Sequence, residues 1–484
     1  MEEIDLELIT KQSIRGIFAL TSRTFIIQIV AFVANFLLTI FLTPAIFGVY
    51  FVVTAAIAFL QYFSDIGLAA ALIQKRESIT KEDLKTTFTI QQVMVITVTV
   101  LAYLGSGWIG KFYNLNHDGV FLFQALAIAF FLSSLKTIPS ILLERDLKFE
   151  KLVIPQIVET IVFNVLVVVL AFRGFGITSF TYSVLARGIA GLITIYIISP
   201  WRISIGFSTV SAKKLLSFGL PFQLNSFLAL IKDDLFVAYL GKALPLAQVG
   251  YIGFAQKWAF VPLRLIMDNV IRITFPSFSR LQDETAVLKK AIEKSIFAAS
   301  FMIFPSLIGL IIVAPYFINL IPKYEKWEPA ILSLGFFAMS AALSSISTPL
   351  TNALNAIGKI KISLYLMVFW TVATWVLTPI LIKIYGFNGV AIASFIIACS
   401  LILVVYLVKK HIDFNLHSSV LAPLVGSAVM GVLVYFLSLN FVHGFISLFA
   451  MIGFGVVIYF AVILLIARKE LLSDVKLVVG HLRR

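Results

Sequence analysis

The chain of 484 residues holds one cysteine, Cys399, within an apolar run, and five scattered histidines. A disulfide framework and a thiolate metal site are therefore both excluded. Charge is scarce as well, with Asp, Glu, Lys and Arg making up 13% of the residues. No P-loop, glycine-rich nucleotide turn or metal-spaced His/Asp cluster is present, which argues against ATP hydrolysis and leaves no cofactor to expect. A cleavable leader is not expected, because the opening Met1-Glu-Glu-Ile-Asp5 is acidic and the first apolar run is too long for one. What abounds is apolar surface: 60% of the residues are hydrophobic, 45 of them Phe. That excess exceeds what a soluble domain carries and indicates a polytopic membrane protein.

Apolar runs of about 20 residues can be marked directly. They fall near 17–42, 47–73, 86–108, 119–143, 153–172, 177–199, 215–240, 248–274, 295–321, 329–354, 361–384, 388–408, 418–438 and 443–467. The expected fold is thus an all-α integral membrane protein of fourteen transmembrane helices. Connections are short, the longest being about twenty residues from Pro276 to Lys294, so no soluble domain fits between helices. Of the 38 Lys and Arg, 25 lie in one set of alternate connections plus the termini, 6 in the other set and 7 within spans. The positive-inside rule then places both termini in the cytoplasm and makes the helix number even. The net charge of +14 is largely this topology signal, and no nucleic acid is needed to explain it.

An internal repeat is legible at an offset of about 200 to 212 residues. Phe47-Gly48-Val49-Tyr50 is answered by Val249-Gly250-Tyr251, Pro139 through Lys151 by Pro349 through Lys361, and Gly174-Phe175-Gly176-Ile177 by Gly386-Phe387-Asn388-Gly389-Val390. Six helices separate the partners, so the repeats share one orientation, as in transporters that alternate between inward-open and outward-open states. The expected organisation is an N-lobe at 1–200, a C-lobe at 201–412, and helices 13 and 14 with a cytoplasmic tail at 413–484.

Charges inside spans are costly, roughly 3 kcal/mol near the bilayer centre, and so mark sites. They concentrate between Phe218 and Arg272, two apolar stretches joined by a turn at Gly241 to Pro245. Lys232, Asp233 and Asp234 interrupt the first; Lys257, Arg264, Asp268 and Arg272 run along the second. At 100° per residue these last four stay within about 80° of one another, on one helix face. Arg187 lies mid-span in helix 6, where snorkelling is difficult. Arg187, Lys232, Lys257, Arg264, Arg23 and Lys136 are the candidate ligands of an anionic substrate in a cationic central cavity; Arg272 reads as interfacial. The alternatives are an ion pair from Arg187 to an acid such as Asp234, a salt ladder through Asp268, neutralisation of Lys232 by its acidic neighbours, and snorkelling of Arg23 and Lys136. Glu159, Asp65, Asp233, Asp234 and Asp268 either accept a coupling proton or Na⁺, or pair with cations; for Glu159 and Asp65 the cations are Lys136 or Arg23. Gln223, Asn225, Gln256, Trp258, Tyr239 and Tyr251 offer hydrogen bonds and aromatic faces suited to sugars, and Pro221, Pro262, Pro305 and Pro349 permit bends.

Phe41-Leu-Thr-Pro-Ala-Ile-Phe-Gly-Val-Tyr50, Phe63-Ser-Asp-Ile-Gly-Leu68 and Ala71-Leu-Ile-Gln74 resemble the start of the Wzx-type polysaccharide and O-antigen repeat-unit flippases of the MOP exporter superfamily. Phe275-Pro-Ser-Phe-Ser-Arg-Leu-Gln-Asp283 is similar to the end of that family's eighth helix, and Asn355-Ala-Ile-Gly-Lys359 to its tenth-to-eleventh connection. The resemblance implies movement of an undecaprenyl-pyrophosphate-linked oligosaccharide from the cytoplasmic to the periplasmic leaflet of the bacterial plasma (inner) membrane, for O-antigen, capsule or exopolysaccharide assembly. It implies membrane lipids and other polysaccharide-assembly proteins as partners. A drug or cation antiporter of the same superfamily would want acids and aromatics in its cavity. A membrane polymerase or glycosyltransferase would carry a large outward loop, and none is present. A lipid II flippase shares the helix count and charge logic and stays open as the alternative.

Overall fold

The computed structural model describes residues 6–62, 67–75, 77–225 and 227–466. Hydrocarbon offers backbone N–H and C=O groups no partners, so a crossing segment must satisfy its own as a helix. The described residues accordingly form nineteen α-helices and one 3-10 turn, with no strand among them. They fall into two compact units, one ending at Gly250 and the other beginning at Tyr251.

The first unit holds α1 (Leu6–Phe41), α2 (Pro44–Tyr62), α3 (Leu68–Gln74), α4 (Lys81–Tyr113), α5 (His117–Ser134), α6 (Thr137–Arg145), α7 (Phe149–Phe172), α8 (Thr178–Ile198), α9 (Thr209–Asn225), α10 (Phe227–Lys232), α11 (Asp234–Ala243) and the first turn of α12 (Leu246–Arg280). Helix α1 packs on α7, α7 on α8, α8 on α5, and α5 on α2 and α4; α2 also packs on α11, and α3 on α6 and α9. Lipid tails are as apolar as Leu, so such contacts depend on close approach at small residues. The two glycines matched by the repeat illustrate this. A Cβ at Gly48 would overlap the Leu246 carbonyl, and one at Gly250 would overlap the Pro44 carbonyl, so the starts of α2 and α12 cross backbone to backbone.

The basic-loop end of this unit is tied by charge. Thr80 and Asp83 form a reciprocal capping box at the start of α4, and Asp83 also takes the Lys75 ammonium. The Arg145 guanidinium donates to the carbonyls of Leu72 (2.8 Å) and Lys75 (2.7 Å), which the end of α3 leaves without helical partners. Lys214 of α9 donates to both oxygens of Glu77 at 2.8 and 2.7 Å, and holds that carboxyl below its usual range.

The second unit continues α12 and adds α13 (Thr285–Leu320), a 3-10 turn (Glu325–Ala330), α14 (Ile331–Ala356), α15 (Ile360–Tyr385), α16 (Asn388–Ala398), α17 (Leu401–Lys409), α18 (Leu416–Phe441) and α19 (Phe445–Ile466). Its main core gathers Phe278, Leu288, Ile292, Leu350, Leu354 and Phe414. Trp327 is fully buried and stacks on Phe254, with ring centroids 4.3 Å apart. Helices α13, α18 and α19 enclose an apolar cavity of about 500 Å³ lined by residues such as Phe301, Met430, Met451, Gly455 and Tyr459.

Twelve helical segments among the described residues are long and apolar enough to cross a membrane, against the fourteen expected. The two that fall short are 215–240 and 248–274, the stretches that carry the intramembrane charges. The first holds α9, α10 and α11, with a break at Asp233 between α10 and α11; the second stays one helix, α12, with a charge at every second turn or closer. Three further expected spans are also divided among helices. The run 47–73 holds α2 and, after Gly67 at φ +71°, α3; the run 119–143 divides at Leu135 and Lys136 into α5 and α6, and the run 388–408 at Cys399 and Ser400 into α16 and α17.

Candidate functional site

In the first unit the structure brings together three charges from three separate elements. Lys136 sits in the break between α5 and α6, where Pro139 has no N–H to give the Leu135 carbonyl and neighbouring helices supply bonds in its place. Gln92 of α4 donates to the Ser134 hydroxyl at 3.0 Å, Gln91 donates to Thr137 at 3.0 Å, and the Tyr196 hydroxyl of α8 donates to the Leu135 carbonyl at 3.2 Å. The freed backbone carbonyl is thereby satisfied, and the Lys136 side chain reaches α7. There its ammonium donates to Glu159 Oε1, and Arg187 of α8 donates from Nε to Glu159 Oε2 at 3.5 Å.

The three members differ in exposure. The side chains of Lys136 and Glu159 are 14% and 12% exposed, whereas that of Arg187 is 53% exposed. Glu159 is thus committed inward to Lys136, and Arg187 is held loosely at the rim. The guanidinium carbon lies 5.9 Å from the Phe163 ring centroid, and in the same unit the Tyr50 ring stacks on Phe180 at 4.1 Å. Two cations against one anion leave the cluster with a net positive charge facing open space. Beneath the carboxylate lies Gly191, where any Cβ would overlap Glu159.

Arg187 therefore pairs with Glu159 and not with Asp234, and Glu159 takes Lys136, one of the two pairings its position allowed. Arg23 lies apart from any ion pair among the described residues, its Nε buried without a hydrogen-bond partner among them. Asp65 lies outside the described residues.

Lys232, Asp233 and Asp234 mark the break between α10 and α11. Lys232 ends α10 and Asp234 begins α11, so each charge suits the helix terminus it occupies. No ion pair within 4 Å joins Lys232 to either acid among the described residues, so the alternative of neutralisation by its acidic neighbours is not formed as a salt bridge. Gln223 is engaged structurally: it exchanges hydrogen bonds with Tyr62, accepting at its carbonyl from the Tyr62 hydroxyl at 2.8 Å and donating from its side chain to the Tyr62 carbonyl at 3.2 Å. The Asn225 side chain lies outside the described ones. Tyr239 packs beside Phe236, with ring centroids 5.9 Å apart.

In the second unit α12 bears out the single charged face. Lys257, Arg264, Asp268 and Arg272 are all exposed, while Ile252, Ala255 and Ala259 on the far side are buried. The i, i+4 spacing allows a ladder from Arg264 through Asp268 to Arg272. No such pair is formed within 4 Å among the described residues, so the face keeps an excess of positive charge. Gln256 is exposed beside Lys257. Trp258 and Tyr251 are packed into aromatic clusters, Trp258 against Phe254 at 6.3 Å and Tyr251 against Phe387 at 5.5 Å.

Sequence reasoning missed Gly191, Tyr50 and Arg145. Gly191 has a signal, a small residue one turn after an intramembrane arginine. Arg145 was read only as a topology charge, and Tyr50 only as part of a motif.

Residues 37–332 match the family described as polysaccharide biosynthesis protein. The chain is similar to the lipopolysaccharide biosynthesis protein WzxC of Escherichia coli (strain K12), with 27% identity over 327 residues, which is 67% of this chain and 66% of that protein, just under two thirds of its length. It is also similar to the teichuronic acid biosynthesis protein TuaB of Bacillus subtilis (strain 168), 26% identical over 399 residues and 80% of each chain. Among solved structures, an inward closed conformation of the lipid II flippase MurJ aligns over 92% of this chain and 99% of its own, with a TM-score of 0.73 and 15% identity. An inward-facing multidrug resistance MATE family transporter of the MOP superfamily aligns over 78% and 94%, with a TM-score of 0.58 and 17% identity. These two share the fold.

Proposed function

The chain belongs to the polysaccharide biosynthesis protein family, and on that premise we propose that it is a lipid-linked oligosaccharide flippase. It moves polyprenyl-pyrophosphate-linked glycan repeat units from the cytoplasmic to the periplasmic leaflet of a bacterial plasma membrane by alternating access, without group-transfer chemistry. Both termini lie in the cytoplasm, and other polysaccharide-assembly proteins supply and consume the glycan.

The observation that carries this reading is cationic surface left open where a bilayer disfavours charge: the exposed side of Arg187 and the α12 face with Arg264 and Arg272. A diphosphate that leaves water must exchange hydration for fixed countercharge, and a guanidinium fork fits phosphate oxygens in a bidentate way. The apolar cavity among α13, α18 and α19 suits an isoprenoid chain, which needs no polar partner. Entry of a proton or Na⁺ drives the cycle. Asp233 and Asp234 are better placed to take it than Glu159, because Glu159 is already bound to Lys136.

The test is translocation of a polyprenyl-pyrophosphate-linked oligosaccharide in proteoliposomes, comparing wild type with Arg187→Ala and Arg264→Ala. Transport should be lost in both variants while the fold is kept. Full activity in both would refute the anion pathway. Transport of lipid II in place of lipid-linked glycan would transfer the reading to peptidoglycan precursors, in keeping with the fold shared with MurJ.

A further inference from the structure

The Lys136–Glu159–Arg187 cluster contains its own anion, and its geometry is asymmetric. One carboxylate oxygen is held by a buried ammonium in the α5–α6 break. The other meets, among the described residues, only Arg187 Nε, at 3.5 Å, the outer limit of a hydrogen bond. The Arg187 η nitrogens have no hydrogen-bond partner among the described residues. The seat of the carboxylate is built, since Gly191 leaves it the room that any side chain would fill.

Resting on the assignment of Arg187 to the anion pathway, we propose that Glu159 is a resident counter-anion, anchored by Lys136, which the lipid diphosphate displaces from Arg187. Lys136 is then a positioning residue and not a substrate ligand. An empty Arg187 midway along a membrane span would be an uncompensated charge, and a full-strength Arg–diphosphate pair would release its cargo slowly. A weakly held carboxylate addresses both. It compensates the guanidinium when the site is empty, and it competes with the diphosphate when the site is full, so that binding is reversible enough for turnover. Charge arithmetic agrees with this: with Glu159 paired to Lys136, Arg187 carries the single net positive charge of the cluster toward the substrate.

Binding of farnesyl pyrophosphate to the purified full-length protein separates the possibilities. The key variant is the double substitution Lys136→Met with Glu159→Gln, which removes both members of the buried pair together and keeps the net charge of the cluster. Competition by Glu159 predicts that this variant binds about three- to fivefold more tightly than wild type, the worth of one half-exposed ion pair, and that glycan translocation slows. Affinity equal to wild type would mean that only net charge matters, and weaker binding would make Lys136 a ligand; either result overturns the proposal. Should that double variant not fold, a second charge-conserving pair, Lys136→Gln with Glu159→Gln, carries the test: tighter binding supports the proposal, and unchanged or weaker binding ends it. Arg187→Ala guards the underlying assignment. If wild type binds the probe and Arg187→Ala binds equally well, or if wild type does not bind it, the anion-pathway reading fails first and the counter-anion reading falls with it. If Arg187→Ala weakens binding while the double variant shows no gain, the counter-anion proposal fails alone.

Discussion

Replacing Gly191 by Ala is the sharpest probe of the charged cluster, because it moves Glu159 without altering any charge. The new methyl group would occupy the place of the Glu159 carboxylate, so that side chain must leave its seat and its contact with Lys136. Separating a buried ion pair by removing one partner costs about 3 kcal/mol, taking the low end because both side chains keep slight exposure. Ala in place of Gly within a helix returns about 1 kcal/mol, which leaves a net loss of about 2 kcal/mol. Denaturant unfolding of the purified protein, followed by tryptophan fluorescence, measures the loss. In a Lys136→Met/Glu159→Ala background the seat is vacant, and the same Gly191→Ala substitution should instead stabilise by about 1 kcal/mol. Gly105 on α4, with nothing within 4 Å of a Cβ placed there, is the control, and Ala at that position should also stabilise slightly. An equal penalty for Gly191→Ala in both backgrounds would show that the methyl strikes something other than Glu159, and the account of the seat would be wrong.

Ala at Gly48 or at Gly250 meets a backbone carbonyl that cannot rotate away, so each should destabilise by about 3 kcal/mol, the upper end for overpacking, and reduce the yield of monodisperse protein in size-exclusion chromatography. Arg145→Met strips two carbonyls at the end of α3 of their donors, at about 1 to 3 kcal/mol for each unsatisfied group, and hydrogen exchange across residues 67–75 should accelerate selectively. The Lys214 ammonium keeps the Glu77 carboxyl ionised below its ordinary range. The link between α9 and the segment before α4 should therefore persist as pH falls through the ordinary carboxylate range and be lost only below it. Hydrogen exchange at residues 77–80 against pH reads this, and a Lys214→Met variant should lose the acid transition.

The apolar runs located twelve of the helical segments because a bilayer allows one backbone solution, and that constraint is local. The interruptions were harder to read. Between 119 and 143 the one helix-breaking signal is Pro139, whose missing N–H leaves the Leu135 carbonyl without its helical donor, while Leu135 and Lys136 themselves carry no such mark. The break there is held by side chains of other helices, namely Gln91, Gln92 and Tyr196. The face carrying Lys257, Arg264, Asp268 and Arg272 was legible from spacing alone, since all four lie on one helix whose periodicity sets their directions. Whether Arg264 and Arg272 close on Asp268 was not legible, because spacing permits a pair and rotamers decide it.

By itself, then, the sequence determined the class of protein, the helical segments, the family and the row of charges on α12, all of which follow from short-range periodicity or from composition. Tertiary structure alone decided which acid meets which cation. Glu159 lies 28 residues from Arg187, and Asp234 lies 47 residues from it; no distance along the chain selects between them. The choice was made by the rotation of α7 and α8 about their axes, with Gly191 admitting the carboxylate between them, and that rotation is fixed by the packing of whole helices.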